Sequence, residues 1–546
     1  MFVNRGDSLS RQSFVKGAAV LAAAGFSSRM IGAFFRIVLA MLIADEGVGL
    51  FQMAYPVYGA LLAVSTAGIP LAISKLVSES LAKGNYASAY RIFRVALLVL
   101  SVSGFVFSLA MYLGAPVFAT SVARDPRATL ALASIAPAIF FVTVMSAYRG
   151  FFQGQQQMMP TAVSQIVEQL ARVAAALMLV VLLLPRGIEQ AAAGASFGAV
   201  AGALFGLACL MLIWQKRRGE FLRQCGRCGN DNISTLEVMR KIIALALPIT
   251  AGSLVMPLVS LADLSIVPQR LHQAGFDTAR ATALYGQLTG MATPLVHIPT
   301  IITVALAVSL VPAISEAVAL QKRRLVKERA YFAVKITLLL GLPAAAGLYL
   351  LAGPITELLF DNAEAGAVLA MMAGSVIFLT LYQVTSGILQ GLGRTAEPVV
   401  NLLAGVLVKL VLTWILTVQP AWNIQGAALA TVAGFAVAAL LNVHKVIAFT
   451  GLPLRPADTL LKPGLATLGM SAVLPLARGW LESGIARAGL SRAGEMATLL
   501  SVVVGIAVYA ALLLLLGVVR RADLEMVPRF GNRLATAAEK LRLLRR

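Results

Sequence analysis

Residues 95–119 read VALLVLSVSGFVFSLAMYLGAPVFA, twenty-five positions without a charge, an amide or a histidine. About twenty apolar residues in an α-helix cross the hydrocarbon core of a bilayer. Residues 499–519, LLSVVVGIAVYAALLLLLGVV, do the same near the other end of the chain. The composition between them agrees. Of 546 residues, 59% are hydrophobic and only 13% charged, with a mean hydropathy of +0.85. Such a chain lacks the polar side chains to cover a water-facing surface. The expected class is an all-α integral membrane protein of about fourteen transmembrane helices. The first apolar run, 14–43, is too long for the core of a cleavable signal peptide and is expected to remain as the first helix.

The net charge of +21 does not point to nucleic acid. The basic residues concentrate in the segments expected on one side of the membrane, as the positive-inside rule requires. With both termini cytoplasmic, the clusters WQKRRGEFLRQCGRCG (214–229) and QKRRLVKER (321–329) face anionic headgroups. Cys209 reads as a packing residue in an apolar helix. Cys225 and Cys228 form one CxxC in a basic loop, with no second pair to complete a structural zinc site. No metal and no cofactor are expected.

The chain repeats itself. Residues 150–173, GFFQGQQQMMPTAVSQIVEQLARV, echo residues 387–410, GILQGLGRTAEPVVNLLAGVLVKL. Each has a helix ending in Gln-Gly, a short turn, a proline, and a second helix with a cation about three turns in. Gln153 and Gln390 differ by 237 (390 − 153). A second echo, PLAIS at 70–74 and PAIS at 312–315, sets Ser74 and Ser315 apart by 241 (315 − 74). Two echoes imply a duplicated unit of six spans, in parallel orientation because six is even. The expected organisation is a lobe over 1–215, a basic cytoplasmic linker over 216–237, and a lobe over 238–450. Two extra helices follow within 451–520, and a basic cytoplasmic tail over 521–546 ends the chain.

Charges inside the spans are the candidate site. The first span carries Arg29 and Arg36. At 100° per residue they lie about 20° apart, on a stripe shared with Gly25 and Gly32. Small residues mark a close helix contact or a cavity wall. A central arginine costs roughly 2.5–3.5 kcal/mol on insertion scales, which an anionic ligand would offset. Glu168 and Arg172 stand one helical turn apart and can pair. Lys409 parallels Arg172 in the repeat. Asp263, an acid within span 238–268, is a candidate for binding a coupling Na+ or H+. Arg149 closes the fourth span and reads as a surface anchor. His297 reads as an interior histidine. The surplus of cations suits a phosphorylated substrate better than a cationic drug.

The segments SRMIGAFFRIVLAMLIADEGVGLFQMAYPVYGALLAVSTAGIPLAISKLVSE (28–79), YRGFFQGQQQMMPTAVSQIVEQLARV (148–173) and ALYGQLTGMATPLVHIPTIITVALAVSLVPAISEA (283–317) carry a family likeness. Most of residues 12–450 resembles the stage V sporulation protein B and YtgP-type polysaccharide biosynthesis proteins. These belong to the multidrug/oligosaccharidyl-lipid/polysaccharide (MOP, MATE-like) exporter superfamily and are similar to lipid II flippases. The resemblance implies two six-helix lobes in a V, alternating access, and a lipid-tail groove made by the two extra helices. It implies an undecaprenyl-pyrophosphate-linked glycan such as lipid II, moved from the inner to the outer leaflet of the bacterial cytoplasmic membrane. It also implies cell-wall synthesis or sporulation proteins as partners. Arg29 matches the family's Ser-Arg-x-x-Gly pattern, and Arg36 stands one residue later than its flippase counterpart. Two other readings are a cation-coupled multidrug exporter of the same superfamily and a non-transporting cell-wall or sporulation scaffold. An enzyme is disfavoured, since no Asp-rich motif, Walker loop or nucleophile constellation is present.

Overall fold

The computed structural model describes residues 6–66, 68–225, 234–452, 457–488 and 492–518. Cys228, part of the expected linker, and the expected basic tail over 521–546 lie outside the described residues. The secondary structure described is helical, and the chain forms two compact units, Met1–Gly286 and Gln287–Arg546. The first holds α1 (Gly6–Thr66), α2 (Ile69–Ala82), α3 (Tyr86–Val117), α4 (Thr129–Ile135), α5 (Pro137–Gly154), α6 (Met158–Leu183), α7 (Ile188–Cys225), α8 (Thr235–Ser253), α9 (Val255–Gln273) and α10 (Thr278–Gly286). The second holds α11 (Thr293–Ala319), α12 (Arg323–Leu350), α13 (Ala352–Phe360), α14 (Ala365–Ala373), α15 (Ser375–Gly391), α16 (Ala396–Leu416), α17 (Asn423–Thr450), α18 (Lys462–Arg487) and α19 (Ala493–Leu515).

Among the described residues, eleven helices are long and apolar enough to cross a membrane, or twelve if the bent pair α14–α15 is one span. The expectation of about fourteen differs from this in two places. The first is α1. Its 61 residues extend about 90 Å at 1.5 Å per residue, far beyond one ~30 Å crossing. The helix breaks at Ala44 (φ 51°, ψ −171°), between the expected spans 14–43 and 48–74. The second is the expected span 238–268. It divides at Leu254 into α8 and α9, and neither is apolar enough over its own length to count.

The repeat is written into the packing. In the first unit, a Cβ on Gly150 would sit 2.7 Å from the Pro70 carbonyl oxygen, and one on Gly154 would sit 2.8 Å from both the Ser74 oxygen and the Val77 Cβ. In the second unit, a Cβ on Gly387 would sit 2.7 Å from the Ala307 oxygen. One on Gly391 would sit 2.7 Å from the Ile314 Cβ and 3.0 Å from the Val311 oxygen. Each member follows its counterpart by 237 residues (387 − 150, 391 − 154, 307 − 70, 311 − 74, 314 − 77). Two pairs of helices therefore approach closely at the same glycines. This corrects the second echo: Ser74 corresponds to Val311, and the PLAIS/PAIS match lies one helical turn out of register. Gly154→Leu and Gly391→Leu should each lower the melting temperature of the purified protein. The two should act to similar extents, as overpacking of about 1–3 kcal/mol. A thermal melt in detergent checks this, and a silent variant at either site would contradict the shared contact.

Compactness and repeat divide the chain differently. Helices α8–α10 fall in the lobe expected over 238–450, yet they pack in the first unit. The reason is a backbone crossing. A Cβ on Gly49 of α1 would sit 2.1 Å from the Thr282 carbonyl oxygen, and one on Gly286 of α10 would sit 2.2 Å from that of Asp45. Only hydrogen fits at either position. Beside the crossing, buried Asp125 receives Arg127 in a bidentate pair (3.0 and 2.8 Å) and accepts the Thr282 hydroxyl at 2.7 Å. In the second unit, α18 and α19 pack on α12, where the Tyr509 hydroxyl donates to the Leu339 carbonyl at 2.9 Å.

Candidate functional site

The first half of α1 lies against α6. The Ser28 hydroxyl donates to the Gln165 carbonyl at 3.5 Å. Gly32 leaves room for the Gln169 side-chain amide, which lies 3.1 Å from where a Cβ would stand. Both contacts belong to the small-residue stripe. Arg29 and Arg36 stand beside that stripe, and both are exposed to solvent or lipid. Among the described residues neither forms an ion pair. Phe26, Met30 and Phe34, also exposed, occupy the neighbouring face.

On α6 the expected Glu168–Arg172 pair forms, with Arg172 Nη2 donating to Glu168 Oε1 at 3.0 Å. The carboxylate has a second partner. Arg149 Nη2 of α5 donates to Glu168 Oε2 at 2.9 Å, and Arg149 also reaches the Ser164 hydroxyl at 3.2 and 3.1 Å. Arg149 is therefore an interior member of the cluster, not the surface anchor read from its place at a span end. The side chains are 15% (Glu168), 18% (Arg149) and 21% (Arg172) exposed, so one carboxylate holds two largely buried guanidinium groups. Arg172 Nε is buried and has no hydrogen-bond acceptor among the described residues. Tyr55 of α1 lies within electrostatic reach of both Arg36 and Arg172, which ties the arginine of α1 to the cluster on α6. The Tyr55 and Tyr58 rings stand 6.1 Å apart, and both phenols lie near Arg172. Sequence reading passed over Tyr55 and Tyr58. The signal available was their three-residue spacing within an apolar run, which is also how ordinary core aromatics recur.

Lys409 belongs to the second unit, where it holds the position Arg172 holds in the first. A Cβ on Gly202 would sit 2.8 Å from the Arg172 Cβ and 2.6 Å from the Glu168 carbonyl oxygen. A Cβ on Gly434 would sit 2.8 Å from the Lys409 Cβ and 2.9 Å from the Gly405 carbonyl oxygen. The parallel between Arg172 and Lys409 is thus structural. It also exposes an asymmetry. At the same offset of 237 (386 − 149, 401 − 164, 405 − 168), Arg149, Ser164 and Glu168 are replaced by Ser386, Asn401 and Gly405. There a neutral network takes over: Asn401 Nδ2 donates to Asn442 Oδ1 at 2.8 Å, and Asn442 Nδ2 donates to the Ser386 hydroxyl at 2.9 Å. A polar bridge stands at this place in both halves, charged in the first and neutral in the second.

Asp263 lies half-buried on α9, with Tyr285 of α10 in electrostatic reach. Among the described residues no three His, Cys, Asp or Glu side chains come together as a metal-binding group. His297 is exposed, not interior as its sequence context indicated.

The profile of the polysaccharide biosynthesis protein family matches residues 14–318, more than half of the chain. The chain belongs to that family. Within this polysaccharide biosynthesis protein, a second profile, MatE, matches residues 288–415. Stage V sporulation protein B of Bacillus subtilis (strain 168) is 30% identical over 525 residues, covering 96% of this chain and 99% of that protein. Lipid II flippase MurJ of the same organism is 29% identical over 480 residues, covering 85% and 87%. A solved structure of lipid II flippase MurJ in an inward closed conformation shares the fold, with a TM-score of 0.61 at 15% identity, over 90% of this chain and 98% of that one. The family member described here is a multi-span membrane protein with a flippase among its homologues.

Proposed function

We propose that this protein is a flippase for an undecaprenyl-pyrophosphate-linked cell-wall glycan, with lipid II the substrate to test first. The observation that carries the reading is the uncompensated cationic surface of the first unit. Among the described residues Arg29 and Arg36 lack ion pairs, and Arg172, which shares Tyr55 as an electrostatic neighbour with Arg36, keeps a buried N–H unspent. Guanidinium forks match the two phosphates of a pyrophosphate, and charge-assisted hydrogen bonds to phosphate are among the stronger ones. Glu168 holds Arg149 and Arg172 in place without neutralising the cluster, since one carboxylate faces two arginines. Lys409 is the substrate-binding candidate of the second unit, in the position Arg172 holds in the first. The polyprenyl chain stays in lipid, against the helices of 451–520. Lobes 1–215 and 238–450 alternate access and move the headgroup from the inner to the outer leaflet. Asp263 takes up a coupling Na+ or H+. Both termini are cytoplasmic, and the flipped glycan passes to cell-wall synthesis proteins.

A multidrug exporter would need acids where this site has arginines. The test is reconstitution into proteoliposomes, following both lipid II headgroup translocation and efflux of a cationic dye. Translocation without efflux is the expected result. Efflux without translocation would favour the exporter, and neither activity in a folded protein would favour the scaffold.

A further inference from the structure

Each unit has a cavity at the end of its α2/α5/α7-type helices, and the two cavities are repeat counterparts. In the first unit, Leu81, Tyr86, Gln155 and Arg217 line a cavity of about 490 Å³. In the second, Val318, Arg323, Leu392 and Phe449 line one of about 780 Å³. The first three pairs are 237 apart (318 − 81, 323 − 86, 392 − 155). Arg217 and Phe449 are 232 apart (449 − 217), as are Gly202 and Gly434 on the same two helices (434 − 202).

The walls agree in place and differ in charge. In the first cavity, Arg217 is accompanied by the acid Glu220 and donates to the Gln157 side chain. In the second, Glu220 is replaced by buried Leu452, Tyr86 by Arg323, and Gln157 by Arg394, whose guanidinium stacks 4.7 Å from the Phe449 ring centroid. Lys327, half-buried, also lines this cavity. Gly451, at φ +62°, ends α17 there, and a Cβ on it would meet Lys327 Nζ at 3.2 Å. The bare backbone thus leaves the ammonium its place. Neighbouring cations are matched by acids: Arg324 pairs with Glu328 at 2.9 Å and Arg329 with Glu316 at 3.5 Å. Among the described residues, Arg323 and Lys327 have no such partner. Arg323 opens α12, whose first turn has no acid, so the helix dipole adds to its charge instead of opposing it.

We infer that the cavity bounded by Arg323, Lys327 and Phe449 binds a phosphate-bearing lipid headgroup, at a site apart from the arginines of α1 and α6. Its cations converge on a volume large enough for a headgroup, on a protein whose surroundings are phospholipid. The fold does not demand this charge, because the counterpart cavity does without it.

The test is binding of dioleoylphosphatidic acid to the full-length protein in neutral detergent, read by native mass spectrometry and by thermal shift, with dioleoylphosphatidylcholine as the reference lipid. The wild type should retain the phosphatidic acid selectively. Arg323→Gln/Lys327→Gln should weaken retention on the order of tenfold or more. Arg323→Lys/Lys327→Arg should keep it, which separates loss of charge from loss of folding. Arg217→Gln in the counterpart cavity should change nothing. If inorganic phosphate produces the same shift and displaces the lipid, the phosphate chemistry stands and a soluble ligand replaces the lipid as its source. Equal retention by the double glutamine variant, or equal retention of phosphatidylcholine, would overturn the assignment.

Discussion

Lipid II headgroup translocation by the Arg29→Ala/Arg36→Ala variant should fall to the background rate of empty liposomes, while the variant melts no lower than the wild type. The two halves of this expectation have different sources. Neither arginine forms an ion pair among the described residues, and α1 meets α6 through Ser28 and Gly32 instead. Removing the guanidinium groups therefore leaves the helix contact whole and relieves the cost of carrying charge in a membrane helix. For transport, a charge-assisted hydrogen bond contributes about 1.5–3 kcal/mol. Losing one at each of two residues gives roughly a hundredfold to ten-thousandfold, below what a translocation assay resolves. The Arg29→Lys/Arg36→Lys variant should recover part of the rate, because an ammonium supplies charge without the planar fork. Wild-type translocation by the double alanine variant would remove the pyrophosphate from α1. A lowered melting point would mean that the arginines hold the fold.

The second large effect is on stability. Glu168→Gln should destabilise the protein by about 3–5 kcal/mol, the range seen when one partner of a buried ion pair is removed. Arg149 and Arg172 both donate to this carboxylate, and both side chains are about four-fifths buried. With glutamine in place they would face each other uncompensated. Glu168→Gln/Arg149→Gln should regain most of the loss, since a single arginine would then sit among neutral amides. In the second half, Asn442→Ala breaks the corresponding neutral network and should cost less, about 1–3 kcal/mol. Thermal melts of the four proteins in detergent order these effects. A Glu168→Gln variant that melts with the wild type would show that the triad does not hold α5 to α6.

These expectations rest on features of unequal legibility. The membrane class was plain in residues 95–119 alone, because burial in lipid demands a long apolar run and little else. The break near Ala44 falls where the first apolar run, 14–43, ends. The pairing of Glu168 with Arg172 and the correspondence of Arg172 with Lys409 were also readable. The first follows from helical periodicity and the second from an internal echo, and both are patterns within short stretches of chain. Arg149 was different. Its partner Glu168 lies nineteen residues away on another helix, and at the end of a span an arginine looks the same whether it turns to water or to a neighbour. Tyr55 could not be placed either, since its nearness to both Arg36 and Arg172 depends on how the part of α1 beyond Ala44 packs.

The sequence by itself determined the class, most of the helices, the duplication and the presence of two arginines in the first span, since composition and periodicity act through local backbone geometry and the solvent. Only the tertiary structure decided the register of α2 against α5, the crossing of α1 and α10 at Gly49 and Gly286, the charged bridge of the first half against the neutral one of the second, and the basic cavity at Arg323. Each of these depends on which helix faces which, and at what height. That is settled by close packing of surfaces far apart in the chain, where a single hydrogen in place of a Cβ decides whether two backbones can meet.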